Sequence, residues 1–344
     1  MIKDRKVTLR DVANQLGVNT STVSRALNPK TKGMITPEKV AQIEKVAEEL
    51  GYVQNVMAYA LKTGSSQTIG VIIPDLLNPV FPPILKGILN VLKEASYTPI
   101  IAYCENDIDM ALDEIKKMKS RQVDGFILAS AFREDESVEY CIKQQLPSVT
   151  VGRALNVHKV DQIVIDNEAG IKQAISHLIS LGHSNIAYIS GPQTISDGYQ
   201  RYQAFRKEME TSGVGLNEEL IVYADAFTED GGRIAAQALL TRDKPFTAVV
   251  AANDLIALGC INVLEKAGLR CPQDVSVIGY NNMPYLDQFK KPLTTVGIPR
   301  MEMGVKAAQT ILERLKNPGA PIQNIVCQPV LLVRESTAIA IKGA

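Results

Sequence analysis

Hydrophobic residues follow two different spacings along the chain, and the change falls near residue 65. Before it, apolar residues recur every three or four positions, as they do on one face of an α-helix. After it, apolar runs of four to six residues alternate with amphipathic stretches such as ILKGILNVLKEA. Near-continuous Val/Ile runs bounded by Gly, Pro or Asn are typical of parallel strands covered on both faces. The pattern predicts a small all-α segment followed by a larger α/β segment.

Eight apolar runs are the predicted strands of the α/β segment: TIGVIIP, TPIIAYC, VDGFILAS, PSVTVGR, QIVIDN, NIAYISG, TAVVAAN and VSVIGYN. Strands that alternate with helices over about 270 residues indicate two doubly wound parallel sheets. Ligands bind such sheets at the carboxyl ends of the strands. A chain of 344 residues is long enough for two or three domains.

The all-α segment begins with VTLRDVANQLGVNTSTVSRALN, which predicts two short helices around a glycine. Thr8 suits the N-cap of the first helix, Gly17 permits the turn, and Asn19 or Thr20 can cap the second helix. The outward positions of the second helix then carry short hydroxyls and Arg25. This pattern is typical of a helix-turn-helix, whose second helix enters the DNA major groove, although a purely structural αα-hairpin shares the spacing.

A third helix is predicted from Thr36 as N-cap, with Pro37 at its first position, to Gly51. The stretch NVMAYALKTG then suggests a helix of about eight residues, which is marginal in water when isolated. Val56 and Leu61 have little nearby to cover them. Either a partner covers this segment or it is a flexible linker.

Charge separates the two segments. Residues 1–64 carry ten Lys/Arg and six Asp/Glu, so their net charge is +4, and the remainder of this overall neutral chain carries −4. A basic head on a mildly acidic body suits a module that binds a polyanion, joined to a sensing or catalytic module.

The five cysteines form no CxxC or regular spacing, and the three histidines are scattered. No P-loop, GxGxxG, GxSxG or HExxH motif occurs. We therefore expect reduced thiols and no enzyme activity, catalytic residue, metal site or cofactor. The first residues lack the apolar core of a signal peptide, and no apolar run approaches a membrane span, which predicts a cytoplasmic protein with no membrane partner.

Three stretches, VTLRDVANQLGVNTSTVSRALN, EELGYVQN and AYALKTG, resemble the lactose/purine-repressor (LacI/GalR) family of bacterial transcription regulators. In that family a hinge helix follows the headpiece, folds against its twin on the operator and wedges a leucine into the minor groove. The resemblance implies domains at 1–54 (headpiece), 55–64 (hinge) and 65–344 (effector binding and dimerisation). By matching positions, it assigns DNA contacts to Thr8, Thr20, Ser21, Thr22, Ser24, Arg25, Asn28, Tyr52, Asn55, Ala58 and Leu61. Gln54 departs from the proline usual at its position, so the entry to the hinge is less rigid.

The body shares further stretches with that family, among them GVIIPDLLNPVF, SHLISLGHSNIAYISGP, VVAANDLIALGCINVLEKAGLRCPQDVSVIGYNN and LLVREST. The resemblance implies a two-lobed fold like that of periplasmic sugar-binding proteins, with three crossovers. It places the first lobe at about 68–163 and 293–326, because the PLTTV segment is expected to return to it. The second lobe is then expected at about 164–292 and 327–341.

The resemblance also implies a cleft that binds a sugar, a sugar derivative or a nucleoside-like effector. Its residues by position are Phe81, Asp166, Arg201, Phe227, Asn253, Asp254 and Asn281. Phe81 and Phe227 could instead be ordinary core, and Asp254 could cap the helix that begins at Leu255. Asn281 stands where sugar-responsive members often have Asp.

The function implied is that of an effector-controlled repressor that binds a pseudo-palindromic operator in double-stranded DNA as a homodimer. The last residues carry no leucine heptad, so a dimer is expected and not a tetramer. Two other classes remain open: a solute-binding protein for transport, and a hydrolase or kinase joined to a helix-turn-helix.

Overall fold

The structure, a computed structural model, describes residues 7–28, 31–53, 64–157 and 159–340. These residues fall into two compact units, 1–66 and 67–344. The predicted hinge residues Asn55, Ala58 and Leu61 lie outside the described residues. Within the described ranges, no helix combines the length and apolar character that crossing a membrane requires.

The smaller unit contains three helices, α1 (Leu9–Leu16), α2 (Thr20–Ala26) and α3 (Pro37–Glu49). Thr8 caps α1 in a reciprocal capping box with Asp11, and Gly17 ends α1 with a φ of 63°. Of the two residues that could cap α2, Asn19 does so, because its side chain accepts a hydrogen bond from the Ser21 N–H. Thr36 is the N-cap residue of α3, although its hydroxyl makes no capping bond.

One apolar cluster holds the three helices together. Its buried side chains are Val12, Ala13, Val23, Ala26, Val40, Ile43 and Ala47. These positions follow the helical spacing of the sequence, so each short helix gains its stability from the shared core more than from its own backbone hydrogen bonds.

The larger unit contains twelve strands in the described residues: β1 (Thr68–Ile73), β2 (Thr98–Tyr103), β3 (Gly125–Leu128), β4 (Ser148–Gly152), β5 (Asp161–Ile165), β6 (Ile186–Ser190), β7 (Ile221–Tyr223), β8 (Ala248–Ala251), β9 (Ser276–Asn281), β10 (Thr294–Gly297), β11 (Asn324–Cys327) and β12 (Val330–Leu332). One sheet has the order β11-β5-β4-β3-β1-β2 and is wholly parallel. The other has the order β12-β10-β9-β8-β6-β7 and is parallel except for β12. The two doubly wound sheets predicted from the apolar runs are thereby confirmed.

Eight α-helices of the described residues flank these sheets: α4 (Phe81–Glu94), α5 (Ile108–Ser120), α6 (Glu136–Lys143), α7 (Asn167–Ser180), α8 (Ser196–Thr211), α9 (Glu229–Leu240), α10 (Asp254–Lys266) and α11 (Arg300–Lys316). In the first lobe α4 and α11 pack on one sheet face, and α5 and α6 on the other. In the second lobe the pairs are α7 with α8 and α9 with α10. Covered faces explain why the central strands are almost entirely apolar.

The chain crosses between the lobes three times, but the predicted lobe boundaries need correction. The PLTTV segment forms β10, which pairs with β9 of the second sheet, so it does not return to the first lobe. Thr294, Thr295 and Val296 are fully buried there, as expected for a central strand. The crossovers follow Ile165, Gly297 and Cys327, and the first lobe therefore contains residues 68–165 and about 298–327.

Glycine pairs permit close helix crossings in both lobes. A Cβ on Gly304 of α11 would overlap the Ile84 carbonyl oxygen of α4, and a Cβ on Gly87 would overlap the Met301 carbonyl oxygen. In the second lobe, Gly232 of α9 and Gly259 of α10 meet in the same way. Without side chains at these points the helix backbones come into direct contact, which larger residues would prevent.

Candidate functional site

A cavity of about 330 Å³ lies between the two lobes of the larger unit. Its wall is built from residues that end or directly follow the strands, such as Asp75 after β1, Arg153 after β4, Asp225 after β7 and Asn253 after β8. In doubly wound sheets this edge is where ligands bind, because side chains and helix N-termini converge there.

Five of the seven predicted effector residues line this cavity: Phe81, Arg201, Phe227, Asn253 and Asn281. Phe81 is the first residue of α4 in the first lobe, and Phe227 precedes α9 in the second lobe. The Phe227 ring fits against Gly191, where a Cβ would overlap it. The two phenyl rings are therefore contributed by opposite lobes.

Arg201 is only 2% exposed, and its guanidinium is held by three groups. Nε donates to Asn167 Oδ1 at 2.8 Å and Nη1 to the Ala252 carbonyl at 2.7 Å. Nη2 lies 3.5 Å from Asp197 Oδ2, one turn earlier on α8. The guanidinium also lies over the Tyr280 ring, 3.7 Å from its centroid. These contacts fix a cationic fork in the wall of the cavity and desolvate it in advance.

Asn253 and Asn281, the two asparagines predicted to bind effector, also have structural roles. Asn253 caps α10 by accepting from the Ile256 N–H at 2.8 Å, and its amide donates to the Phe227 carbonyl at 3.2 Å. Asn253 thereby positions the loop that carries the Phe227 ring. Asn281 ends β9 with a φ of 104°, a region that L-residues rarely adopt. Strain of this kind occurs where a side chain is directed for function.

Asp166 and Asp254 do not line the cavity, which corrects their predicted placement. Asp166 is the N-cap of α7 and accepts from the Ala169 N–H at 2.9 Å. Asp254 is buried behind the wall, where it accepts from Thr295 Oγ1 at 2.5 Å and from the Met283 N–H at 2.8 Å. Nor does Asp254 cap α10, because Asn253 holds that position.

Burial raises the pKa of Asp254 to about 7, and its hydrogen bonds with Thr295 and Met283 offset only part of that effect. The unfolded chain releases this proton near the ordinary value of 3.8, whereas the native state keeps it to about pH 7. The free energy of unfolding should therefore fall as the pH rises across this window, by at most about 1.4 kcal/mol per pH unit.

Asp254→Asn should remove that part of the pH dependence. Its amide can donate to Thr295 Oγ1 while its oxygen still accepts from the Met283 N–H, so the hydrogen bonds survive without a titrating group. Urea denaturation of both proteins at pH 5 and pH 7.5 measures the difference. Equal losses of stability between the two pH values would show that Asp254 does not titrate in this range.

Several cavity residues were missed by the sequence prediction. Asp197, Arg153 and Phe132 line the wall together with the acidic side chains Asp75, Glu105 and Asp225. Four of them, Asp75, Glu105, Arg153 and Asp225, lie within two residues of a strand end, so the general rule that ligands bind at the carboxyl ends of the strands would have found them. Asp197 lies in the first turn of α8 and not at the end of a strand, so this rule does not find it. Only its ion pair with Arg201 in the structure identifies it as part of the wall.

Contacts between the lobes border the cavity. The Arg133 guanidinium lies 3.6 Å from the centroid of the Tyr199 ring, and the Arg133 N–H donates to the Thr194 carbonyl at 3.1 Å. The Ala154 N–H donates to Ser196 Oγ at 2.8 Å. The lobes are thus joined beside the cavity by polar contacts as well as by the three crossovers.

The smaller unit exposes four of the residues expected to meet DNA and half-buries four others. Thr20, Ser21 and Arg25 are exposed along α2, whereas Thr22 and Ser24 are half-buried. Thr8 is exposed but its hydroxyl already donates to Asp11, at 2.7 Å. Tyr52 packs on the helical core, and burial raises its pKa. Asn28, which lies two residues after the end of α2, is half-buried. The described residues contain no group of three or more potential metal ligands.

Comparison with known proteins covers nearly the whole chain. Residues 8–55 match the family described as bacterial regulatory proteins, lacI family, and residues 175–337 match a periplasmic binding protein-like domain. The HTH-type transcriptional regulator DegA of Bacillus subtilis (strain 168) is 32% identical over 336 residues, which are 97% of this chain and 98% of DegA.

Solved structures give the same result for the fold. The transcriptional regulator CelR in complex with cellobiose is 30% identical, with a TM-score of 0.75 over 96% of this chain and all of CelR. The Lac repressor dimer bound to operator and the anti-inducer ONPF has a TM-score of 0.84 over 97% of this chain and all of the repressor, at 22% identity. The helix-turn-helix in the smaller unit, the two-lobed larger unit and the 32% identity with DegA over 97% of this chain all identify the same family. The chain belongs to the lacI family of bacterial regulatory proteins and is a DNA-binding transcriptional regulator, not an enzyme.

Proposed function

We propose that this regulator is a repressor controlled by a carbohydrate effector in the cavity between the lobes. The observation that supports this most is the pairing of two phenyl rings from opposite lobes with the Arg201–Asp197 ion pair. Apolar faces of a sugar ring pack on aromatic side chains, while its hydroxyls bond to guanidinium and carboxylate groups.

A nucleoside or purine is the second ligand class of this family, and the cavity favours it less. Four acidic side chains line the wall, namely Asp75, Glu105, Asp197 and Asp225. Carboxylates only accept hydrogen bonds, and a polyol offers many donors whereas a nucleobase offers few. The bound cellobiose in the related CelR structure supports the same choice.

On DNA, we assign base reading to Thr20, Ser21 and Arg25 of α2, with Thr22 beside them. Thr8, Ser24, Asn28 and Tyr52 position the headpiece, residues 1–54, on phosphates. Asn55 begins the hinge, residues 55–64, in which Ala58 and Leu61 enter the minor groove. Inserting an apolar side chain costs a few kcal/mol of base stacking, which the additional contacts of a bent duplex offset.

Homodimer formation, with the body from residue 65 onward holding the two chains together, would place two headpieces on the half-sites of a pseudo-palindrome. An effector that changes the angle between the lobes would alter the spacing of the hinges and hence the fit to DNA. The protein would act in the cytoplasm, where the DNA it regulates lies.

The DNA assignment is tested by Arg25→Gln. The purified protein first selects its operator from random duplexes, and titration then compares the wild type with the variant. Loss of a bidentate contact with guanine should weaken specific binding about 5- to 150-fold, equivalent to about 1–3 kcal/mol.

Arg121→Gln is the matched control, because Arg121 is exposed at the end of α5 in the larger unit. Its operator affinity should equal that of the wild type. If Arg25→Gln also binds the operator normally, Arg25 reads no base. Leu61→Ala, tested on the same duplex, examines the minor-groove contact separately.

A further inference from the structure

Arg153 is a second buried guanidinium in the cavity, on the wall opposite Arg201. It directly follows β4 of the first lobe, and its side chain is 7% exposed. Burial lowers its pKa to about 10, so it still carries a positive charge at neutral pH. The cavity therefore contains one fixed cation from each lobe.

The two cations differ in their partners. Arg201 has a carboxylate partner in Asp197, 3.5 Å away. Arg153 donates from Nη1 to the Ser130 carbonyl at 3.0 Å and from Nη2 to Asn106 Oδ1 at 2.6 Å, and both acceptors are neutral. Among the described residues no carboxylate comes within ion-pair distance of Arg153, although Asp197, Asp135 and Asp75 lie close enough to favour its charged form.

Those carboxylates lower the cost of burying the Arg153 charge, yet none of them bonds to the guanidinium, so a direct counter-ion from a ligand would stabilise it further. A guanidinium has five N–H donors in a planar fork, of which the two bonds above use two. The remaining donors match the paired oxygens of a carboxylate or a phosphate. We propose that the effector carries such an anionic group and that Arg153 binds it. This inference rests on the proposed carbohydrate effector and specifies its class: a sugar acid or a sugar phosphate.

The acidic residues of the wall are compatible with this arrangement. Asp197 pairs with Arg201 and also favours the charged form of Arg153, so its charge is shared between two cations. Asp75 accepts from the Leu77 N–H at 2.8 Å. Glu105 and Asp225 are exposed, where water and salt screen them. The ligand would thus lie with its anionic end at Arg153 and its hydroxyls toward the carboxylates and Arg201.

Calorimetric titration of the full-length protein with matched ligands tests this. Each neutral sugar is compared with its acidic forms: glucose with glucuronate, gluconate and glucose 6-phosphate, and galactose with galacturonate. An acidic member should bind at least tenfold more tightly than its neutral counterpart, and Arg153→Gln should lose that preference. Whether the preferred ligand is a carboxylate or a phosphate identifies the source of the anion.

Arg270→Gln is the control, because Arg270 forms an exposed pair with Asp274 outside the cavity, and it should keep the preference. Urea denaturation of each variant reports whether its effector-binding unit is folded. If Arg153→Gln does not fold, Arg153→Lys takes its place; it keeps the charge without the planar fork and should retain only part of the preference.

The outcomes separate the two proposals. If neutral sugars bind as tightly as the acidic ones, the anionic class is wrong while a carbohydrate effector stands. A preference that persists in Arg153→Gln shows that Arg153 does not bind the anion. If no ligand of either kind binds, the carbohydrate effector is wrong and the inference fails with it.

Discussion

Replacing Arg201 with methionine is expected to abolish the response to effector and to destabilise the effector-binding unit by about 3 kcal/mol. Methionine fills much of the same space but leaves the Ala252 carbonyl, Asn167 Oδ1 and Asp197 without their donor. Asp197 loses its cation, although it is 22% exposed and still accepts from Asn167 Nδ2, while two buried oxygens lose their donor altogether, which accounts for most of the cost. Urea denaturation measures the loss of stability, and operator titration with and without effector measures the response.

Arg206→Met provides the matched control on the same helix, α8. Arg206 lies at the surface, where it pairs with Glu218 at 2.7 Å, and it contributes nothing to the cavity wall. Its variant should keep the effector response and nearly all of the stability. Operator binding without effector should survive in both variants, since the headpiece forms a separate unit. A normal effector response in Arg201→Met would remove Arg201 from the binding site.

Replacing Gly304 with valine is expected to destabilise the first lobe by about 3 kcal/mol. The new Cβ would overlap the backbone of Ile84, so α4 and α11 would have to move apart along their whole contact. The better helix propensity of valine offsets only a few tenths of a kcal/mol. Chemical denaturation of the purified variant measures the difference.

Gly319→Val isolates the steric effect. Gly319 follows α11, its backbone does not require glycine, and a Cβ there would meet no atom within 4 Å. This variant should unfold at nearly the denaturant concentration of the wild type. A Gly304→Val protein of wild-type stability would mean that the two helices can separate at little cost.

Much of the fold was predictable because the central strands bury both faces. All eight predicted runs are strands, and each consists largely of apolar residues. Four strands lie outside the eight predicted runs. Of these, β7, β11 and β12 are edge strands of three or four residues with exposed positions such as Tyr223, Val326 and Val330, and they are too short for their apolar residues to stand out in the sequence. The fourth, β10, was assigned to the first lobe, whereas it pairs with β9 of the second sheet. Its amino-acid composition does not show which sheet it joins, because that depends on contacts with strands elsewhere in the chain.

The site was predictable to the extent that residues at strand ends meet in space. Asp254 was expected in the cavity wall with Asn253, but the structure places its carboxylate against Thr295 and the Met283 N–H, an orientation that sequence spacing alone does not determine. Arg153 directly follows β4, at the edge of the sheet where ligands bind, but the sequence prediction did not include it among the effector residues. Its importance is evident only from its burial and from the neutral character of its acceptors.

The three crossovers also determine when each lobe can be completed as the chain is synthesised. The first sheet has five of its strands by Ile165, yet α11, which covers one face, begins only at Arg300, and β11 follows it. At usual rates of translation the intervening residues take on the order of 10 s to emerge. Throughout that interval α4 alone covers that face of the first sheet, so the part that α11 will cover remains exposed to solvent in the nascent chain.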